Sequence, residues 1–197
     1  MLKKLRSTFG SYIKAQEILL LINNKKEVVR QGFYDLELHS VKQFCKKNDL
    51  HLIKSKFKVI IADREHFSNK GIRVPNEDQR EGMHFYYIAK DELKANLAAY
   101  YELMNNHQDL GKTLGYPHCC IEFFSNNFSK TNPNPQLQPT NMWTNLTKRN
   151  NDVALLSHFP CSSECKESIK QAKTNFDLIM KIDLEHSENI INELKEN

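Results

Sequence analysis

Four of the five cysteines of this chain lie in two short segments, and each segment has a histidine beside its cysteines. The first is residues 115–120 (Gly-Tyr-Pro-His-Cys-Cys) and the second is residues 158–165 (His-Phe-Pro-Cys-Ser-Ser-Glu-Cys). Five cysteines in 197 residues are too few, and odd in number, for a disulfide-stabilised scaffold. Because no signal-like apolar stretch follows the basic start, we expect a cytoplasmic protein whose grouped cysteines bind metal or do chemistry.

Both cysteine groups fall at the start of a predicted helix. Pro117 is suited to the first position of a helix over 117–128, and a longer helix is predicted over 163–182. Unpaired amide N–H groups and the positive end of the helix dipole stabilise a thiolate there, which predicts a lowered pKa. A thiolate can serve as a nucleophile or as a metal ligand, so both interpretations are open.

The nucleophile interpretation pairs Cys120, or its neighbour Cys119, with His158 as the base. His158 follows a predicted strand over 153–156, and a polar residue would orient its imidazole. Asp152 is our candidate for this third member. The other candidates are Asn151, Asn175 and Asp177.

The metal interpretation uses all four grouped cysteines, Cys119, Cys120, Cys161 and Cys165. Cys161 and Cys165 are four residues apart, which on a helix would bring both to one face. Four thiolates suit a zinc ion or an iron–sulfur cluster, and His118 or His158 could replace one of them. The spacing matches neither the usual zinc pattern nor the ferredoxin runs, so two structural cysteine pairs without metal are a further alternative.

Hydrophobic periodicity predicts a single helix-rich α+β domain, 1–197, with a small antiparallel sheet. The predicted helices cover 12–23, 36–48, a stretch beginning after the cap Asp91, 117–128, 163–182 and an acidic C-terminal segment, 183–197. The predicted strands cover 50–62, 83–89 and 153–156. Residues 63–81 are expected to form a loop, and residues 129–140 an internal linker-like loop. Cys45 is expected in the core.

Charge and apolar content limit the partners of the protein. The net charge is +4, and the positive residues concentrate toward the N-terminal part. The lysines that alternate along the strand 50–62 have no interleaved arginine or aromatic residue, which favours a protected sheet edge over nucleic-acid binding. The longest apolar run, 18–22, is too short to span a bilayer, so no membrane association is expected.

The two cysteine segments together resemble a prokaryotic family of unknown function marked by Gly-Tyr-Pro-x-Cys-Cys and, later, His-x-Pro-Cys-Ser-x-x-Cys. This resemblance covers 111–170 and implies no established activity. The run 120–123 is similar to the one that follows the nucleophile of papain-like peptidases, whose Cys at a helix start faces a strand-borne His. The glutamine that serves the oxyanion hole in those enzymes is missing, since Lys112, Thr113 and Leu114 occupy its place.

More distantly, the chain resembles cysteine-protease-like amidotransferases that build thioamide peptides on carrier proteins. This resemblance implies acyl transfer from a thioester or amide donor, which would form or hydrolyse an amide bond without a cofactor. An acidic carrier protein bearing the thioester could meet the positive surface of residues 1–58. The alternative function is a metal- or iron–sulfur-binding protein that uses the four grouped cysteines.

Overall fold

Eight helices and one small sheet make up the fold in this computed structural model, which describes residues 1–61, 71–129, 131–135, 138 and 140–195. The helices are α1 (Leu2–Phe9), α2 (Tyr12–Ile22), α3 (Leu38–Lys47), α4 (Glu92–Leu103), α5 (His107–Thr113), α6 (His118–Asn127), α7 (Lys166–Ile182) and α8 (Leu184–Lys195). The strands are β1 (Val28–Phe33), β2 (His51–Ile61), β3 (Gly71–Pro75) and β4 (Met83–Ala89). The predicted helix-rich α+β fold with a small antiparallel sheet is therefore confirmed.

The four strands form one antiparallel sheet in the order β1-β4-β2-β3. β4 lies between β1 and β2, and β2 lies between β4 and β3. β3 pairs only with residues 57–61 of β2. Among the described strands, the first half of β2, with Lys54 and Lys56, therefore has a neighbour on one side only, as the predicted protected edge requires, whereas Lys58 lies between two strands. β1 was not predicted, and β3 lies inside the stretch predicted as a loop.

Helices cover both faces of the sheet. Successive side chains of a strand point to opposite faces, so each strand contributes apolar residues to a core on either side. Val29 and Ile88 face a large core formed with α1, α2 and α3, and this core continues into α7 and α8. Val28 and Tyr87 face a smaller core formed with α4 and α5. Cys45, on α3, is buried in the large core, as predicted.

Residues 153–156 are buried, but they do not form the predicted strand. Two of their buried carbonyl groups accept hydrogen bonds from side chains rather than from a neighbouring strand. The Arg149 guanidinium donates to the Leu156 carbonyl at 3.1 Å, and the Asn175 amide donates to the Leu155 carbonyl at 2.8 Å. His158 therefore follows a buried, irregular segment rather than a strand.

The chain between α6 and α7 carries two short 3₁₀ helices, Met142–Thr144 and Thr147–Asn151, and otherwise irregular backbone where the structure describes it. Residues 130, 136, 137 and 139 of the predicted linker-like loop lie outside the described residues. Within the acidic C-terminal segment, Leu184–Lys195 form α8, and residues 196 and 197 lie outside the described residues. Among the described helices, none combines the length and the apolar composition needed to cross a bilayer.

Candidate metal centre

The four grouped cysteines converge at one place between the starts of α6 and α7. The Sγ atoms of Cys119, Cys120, Cys161 and Cys165 all lie within 4.8 Å of one another. The Sγ of Cys165 is 3.7 Å from the Sγ of Cys119 and 3.7 Å from that of Cys120, and the last two are 3.9 Å apart. None of the four forms a disulfide. Four thiols at these separations could share a single metal ion.

A tight turn between α5 and α6 positions the first cysteine pair. Gly115 has φ +73°, a left-handed conformation that glycine adopts without strain, and it lets the chain reverse after α5. Pro117 then caps α6 with φ −60°, and its carbonyl accepts from the amides of Cys120 and Ile121. Cys119 and Cys120 thus lie in the first turn of α6, as the sequence predicted.

The second cysteine pair is placed by a loop and a helix cap. Cys165 is the N-cap residue of α7, whereas Cys161 lies in the loop before it. The prediction that these two cysteines share one face of a helix was therefore wrong. The Thr144 hydroxyl donates to the Ser163 carbonyl at 2.7 Å, which ties this loop to the first of the 3₁₀ helices.

The four thiols differ in exposure, and burial and hydrogen bonds shift the pKa values of Cys120, Cys161 and Cys165. Cys119 is exposed, Cys161 is half-buried, and Cys120 and Cys165 are buried. Burial raises the pKa of Cys120, and burial also raises the pKa of Cys161 to about 11. Although burial acts to raise the pKa of Cys165, hydrogen bonds from Ser168 and from the neighbouring thiols lower it to about 7. The lowered pKa predicted at both helix starts is thus found at Cys165 but not at Cys120.

His158 is linked to the cysteines through Ser168. The Ser168 Oγ lies 2.9 Å from His158 Nε2 and 3.2 Å from Cys120 Sγ, and both Ser168 and His158 are buried. Burial and the nearby positive charges of Lys26 and Arg149 lower the pKa of His158 to about 3. The imidazole is therefore neutral at neutral pH and is a weak base.

The candidates for the third catalytic member make other contacts. The Asp152 carboxylate accepts from the amides of Tyr12 at 2.5 Å and Ile13 at 3.0 Å, at the N-terminus of α2. Asn175 donates to the Leu155 carbonyl, and Asn151 donates to Glu193 at 3.3 Å. Asp177 is exposed on α7. The structure thus brings together the four cysteines and, through Ser168, His158, while Asp152 binds the backbone of α2.

His118, the other histidine considered as a ligand, lies on the exposed side of α6. Its Nδ1 is 3.6 Å from the Glu122 carboxylate.

Sequence reasoning missed the buried polar residues around the cysteines. Ser168 lies three residues after the cap Cys165, a spacing that brings its side chain back toward the helix start and could have signalled its role. Lys26 is remote in sequence and carried no such signal. Its ammonium donates to Glu17 at 2.6 Å and to Ser157 at 3.0 Å, and it lies 5.1 Å from the Tyr116 ring.

Comparison with known proteins places the cysteines in a recognised sequence family. The model of DUF483, a family of proteins of unknown function, matches residues 89–197. The chain belongs to this family. The region matched by DUF483 contains all four clustered cysteines, Ser168 and His158, whereas Cys45 and strands β1, β2 and β3 precede it. Neither a curated protein nor a solved structure matches the chain.

Proposed function

We propose that this DUF483 protein is a metal-binding protein in which Cys119, Cys120, Cys161 and Cys165 hold one zinc ion. The separations between the sulfur atoms carry the proposal. Tetrahedral zinc binds thiolates at about 2.3 Å, which sets neighbouring sulfurs about 3.8 Å apart. The separations among Cys119, Cys120 and Cys165, at 3.7, 3.7 and 3.9 Å, match that value, and the Cys161 Sγ lies within 4.8 Å of the other three.

A mononuclear ion fits these sulfurs better than an iron–sulfur cluster. In a cluster the thiolates bind different iron atoms, and the sulfurs are spread around a core of iron and sulfide. Here all four Sγ atoms lie within 4.8 Å of one another, which suits ligands of a single ion. The iron–sulfur form of the metal hypothesis is accordingly the less favoured one.

The proposed role of the ion is structural. Four protein ligands complete a tetrahedral zinc site and leave no position for a reacting water or substrate. The ion would join the first turn of α6 to the loop and cap before α7, across a stretch with little regular structure. Reduced thiols are needed to hold zinc, which suits a reducing compartment such as the cytoplasm.

Metal content of the purified full chain tests this function. We expect one zinc per chain by elemental mass spectrometry, and we expect cobalt substitution to give the absorption bands of tetrahedral thiolate coordination. Cys161→Ala should abolish stoichiometric binding, because it removes one of the four ligands. Cys45→Ala is the matched control: it removes the buried cysteine outside the cluster and should leave one zinc per chain. Wild-type protein without tightly bound zinc, or Cys161→Ala with full zinc, would contradict the proposal.

Cysteine-dependent acyl transfer stays a second candidate, because Ser168 connects Cys120 to His158. Two observations count against Cys120 as a nucleophile: it is 2 % exposed, and burial raises its pKa. In the papain-like form of this hypothesis an acidic carrier protein would bring the thioester. Iodoacetamide labelling separates the two functions. A metal-free protein with one hyper-reactive thiol supports acyl transfer, whereas four thiols protected until a chelator is added support the zinc site.

A further inference from the structure

The Ser168 hydroxyl occupies a position between the cysteine cluster and His158. Its Oγ is within hydrogen-bond distance of both Cys120 Sγ and His158 Nε2, at 3.2 and 2.9 Å. Ser168 is completely buried and His158 is 5 % exposed, so solvent does not compete for these contacts. A hydroxyl carries one proton and can donate to only one of its neighbours, which include Cys165 as well as Cys120 and His158.

Metal binding at Cys120 fixes the direction of both hydrogen bonds. A cysteine bound to zinc is a thiolate, which has no proton and can only accept. The Ser168 hydroxyl must then donate to a metal-bound thiolate, either Cys120 at 3.2 Å or the neighbouring Cys165. In both cases its oxygen is left to accept from His158. This arrangement requires a proton on His158 Nε2.

The other ring nitrogen of His158 indicates a neutral imidazole. Nδ1 is buried and has no hydrogen-bond partner among the described residues. A charged imidazolium would place a second N–H donor there with nothing to accept it, which is costly in a buried site. With the proton on Nε2, Nδ1 is an acceptor and the ring carries no charge.

Hydrogen-bond donors reduce the free-energy cost of burying the negative charge of this metal centre. Four thiolates and one divalent ion have a net charge of −2, and burying that charge is unfavourable unless donors and positive charges face it. The Cys161 amide donates to Cys120 Sγ at 3.4 Å, so Cys120 accepts from a backbone donor as well as from Ser168. Lys26 and Arg149 are both buried and act on His158, although the Glu17 carboxylate, 2.6 Å from the Lys26 ammonium, offsets part of this positive charge.

We propose that His158 and Ser168 are positioning residues of the metal centre: neutral His158 donates from Nε2 to Ser168, and Ser168 donates to the Cys120 thiolate. This inference rests on the proposed zinc site, since the direction of the hydrogen bonds follows from a metal-bound thiolate. The pair orients the buried ligand Cys120 and reduces the charge on its sulfur. Neither residue binds the ion itself.

Zinc affinity and the cobalt spectrum of the full chain test the pair. Ser168→Ala should weaken zinc binding about 10- to 100-fold in a chelator competition, the loss typical of residues that support metal ligands. It should also shift the thiolate-to-cobalt charge-transfer band, because the Cys120 sulfur loses a donor. Ser168→Thr keeps a hydroxyl and should restore affinity and band position toward wild type.

Variants of His158 test the hydrogen bond between His158 and Ser168. His158→Gln can still donate to Ser168 and should bind zinc more tightly than His158→Leu, which cannot. Ser187→Ala is the matched control. Ser187 is also buried, but its hydroxyl donates to the Leu184 carbonyl at 2.7 Å and should affect neither affinity nor spectrum.

The outcomes separate this inference from the function on which it rests. Wild-type protein that binds no zinc would overturn both. Wild-type protein that binds zinc tightly, with the same affinity and cobalt spectrum in Ser168→Ala and His158→Leu, would overturn the inference alone and leave the zinc site standing. A graded loss in the order His158→Gln, His158→Leu, Ser168→Ala would support it.

Discussion

In the sheet, hydrogen bonds between neighbouring strands order the backbone, whereas between α6 and α7 the backbone is ordered by single turns and by hydrogen bonds from side chains. β4 pairs with the whole of β1 through residues 84–89, and it pairs with β2 on both sides of an irregularity between Lys54 and Lys58. In the second region the buried carbonyls of Leu155 and Leu156 are satisfied by the side chains of Asn175 and Arg149. Backbone without ladders or long helices has little local stability of its own, so a cross-link such as a shared metal ion has most to contribute there.

The largest expected effect is a selective loss of order when metal is removed. Chelation should make the amides of 118–125 and 158–170 exchange hydrogen much faster, because the proposed ion no longer joins the starts of α6 and α7. At a zinc concentration a thousandfold above its dissociation constant, bound zinc would stabilise the folded protein by about 4 kcal/mol. Amides of β1 and β4 should change far less, as measured by hydrogen-exchange mass spectrometry with and without chelator. Equal changes in both regions would contradict this contrast.

An ion pair between β1 and α4 allows the opposite test, in which a substitution destabilises the sheet region without affecting zinc binding. The Glu102 carboxylate accepts from Arg30 at 2.5 and 2.6 Å and from the Tyr87 hydroxyl at 2.7 Å. Glu102→Ala should cost about 1–3 kcal/mol in urea unfolding, because the half-buried Arg30 and the Tyr87 hydroxyl lose the charged acceptor of their hydrogen bonds. Zinc content should stay at one per chain. Glu27→Ala, which removes an exposed partner of Lys94, is the control and should cost little.

The same carboxylate gives the ion pair a pH dependence. Burial acts to raise the pKa of Glu102, but Arg30 and Tyr87 outweigh it and hold that pKa below its ordinary value. A lowered folded-state pKa means that the stabilisation is present above the unfolded pKa and is lost as pH falls through the folded one. Between pH 5 and pH 3, wild type should therefore lose more unfolding free energy than Glu102→Gln. Parallel losses in the two proteins would contradict an ionised Glu102.

Sequence patterns predicted the elements that carry their own local signals. β4 has the bounds predicted for it, and β2 begins one residue after its predicted start and continues to Ile61, the last described residue before 71. Asp91 caps α4 as expected. β1 and β3 escaped prediction because they are short and contain glycine or proline, and their pairing depends on strands remote in sequence. Such pairing is decided by tertiary contacts rather than by the local residues.

The residues of the candidate site also fall into two groups, those with a local sequence signal and those placed by contacts remote in sequence. The two cysteine segments and their helix starts could be read from the sequence, because proline, glycine and cysteine spacing act locally. The sequence could not reveal that Cys161 leaves the helix, or that Ser168 lies between Cys120 and His158. These facts depend on how the loop 157–165 folds over α6. Asp152 was a candidate for the third catalytic member, but its carboxylate binds the amides at the start of α2 instead.

The smallest expected effect concerns Asp152. It tests whether the Asp152 carboxylate stabilises the start of α2 or orients His158. Asp152 has φ +61°, which asparagine tolerates well, so Asp152→Asn removes the charge with little backbone strain. The loss of a carboxylate at the N-terminus of α2 should cost about 1 kcal/mol in urea unfolding. Zinc affinity should not change. Asp177→Asn, on the exposed face of α7, is the control and should leave both quantities unchanged.

A catalytic role for Asp152 predicts the reverse pattern. If Asp152 oriented His158, the asparagine variant would keep its stability and lose the reactivity of a cysteine toward iodoacetamide. The contacts favour the first pattern, because both carboxylate oxygens already accept from the amides of Tyr12 and Ile13. An acid in that position stabilises the start of a buried helix that packs against the sheet and against α7, and so joins the two regions compared above.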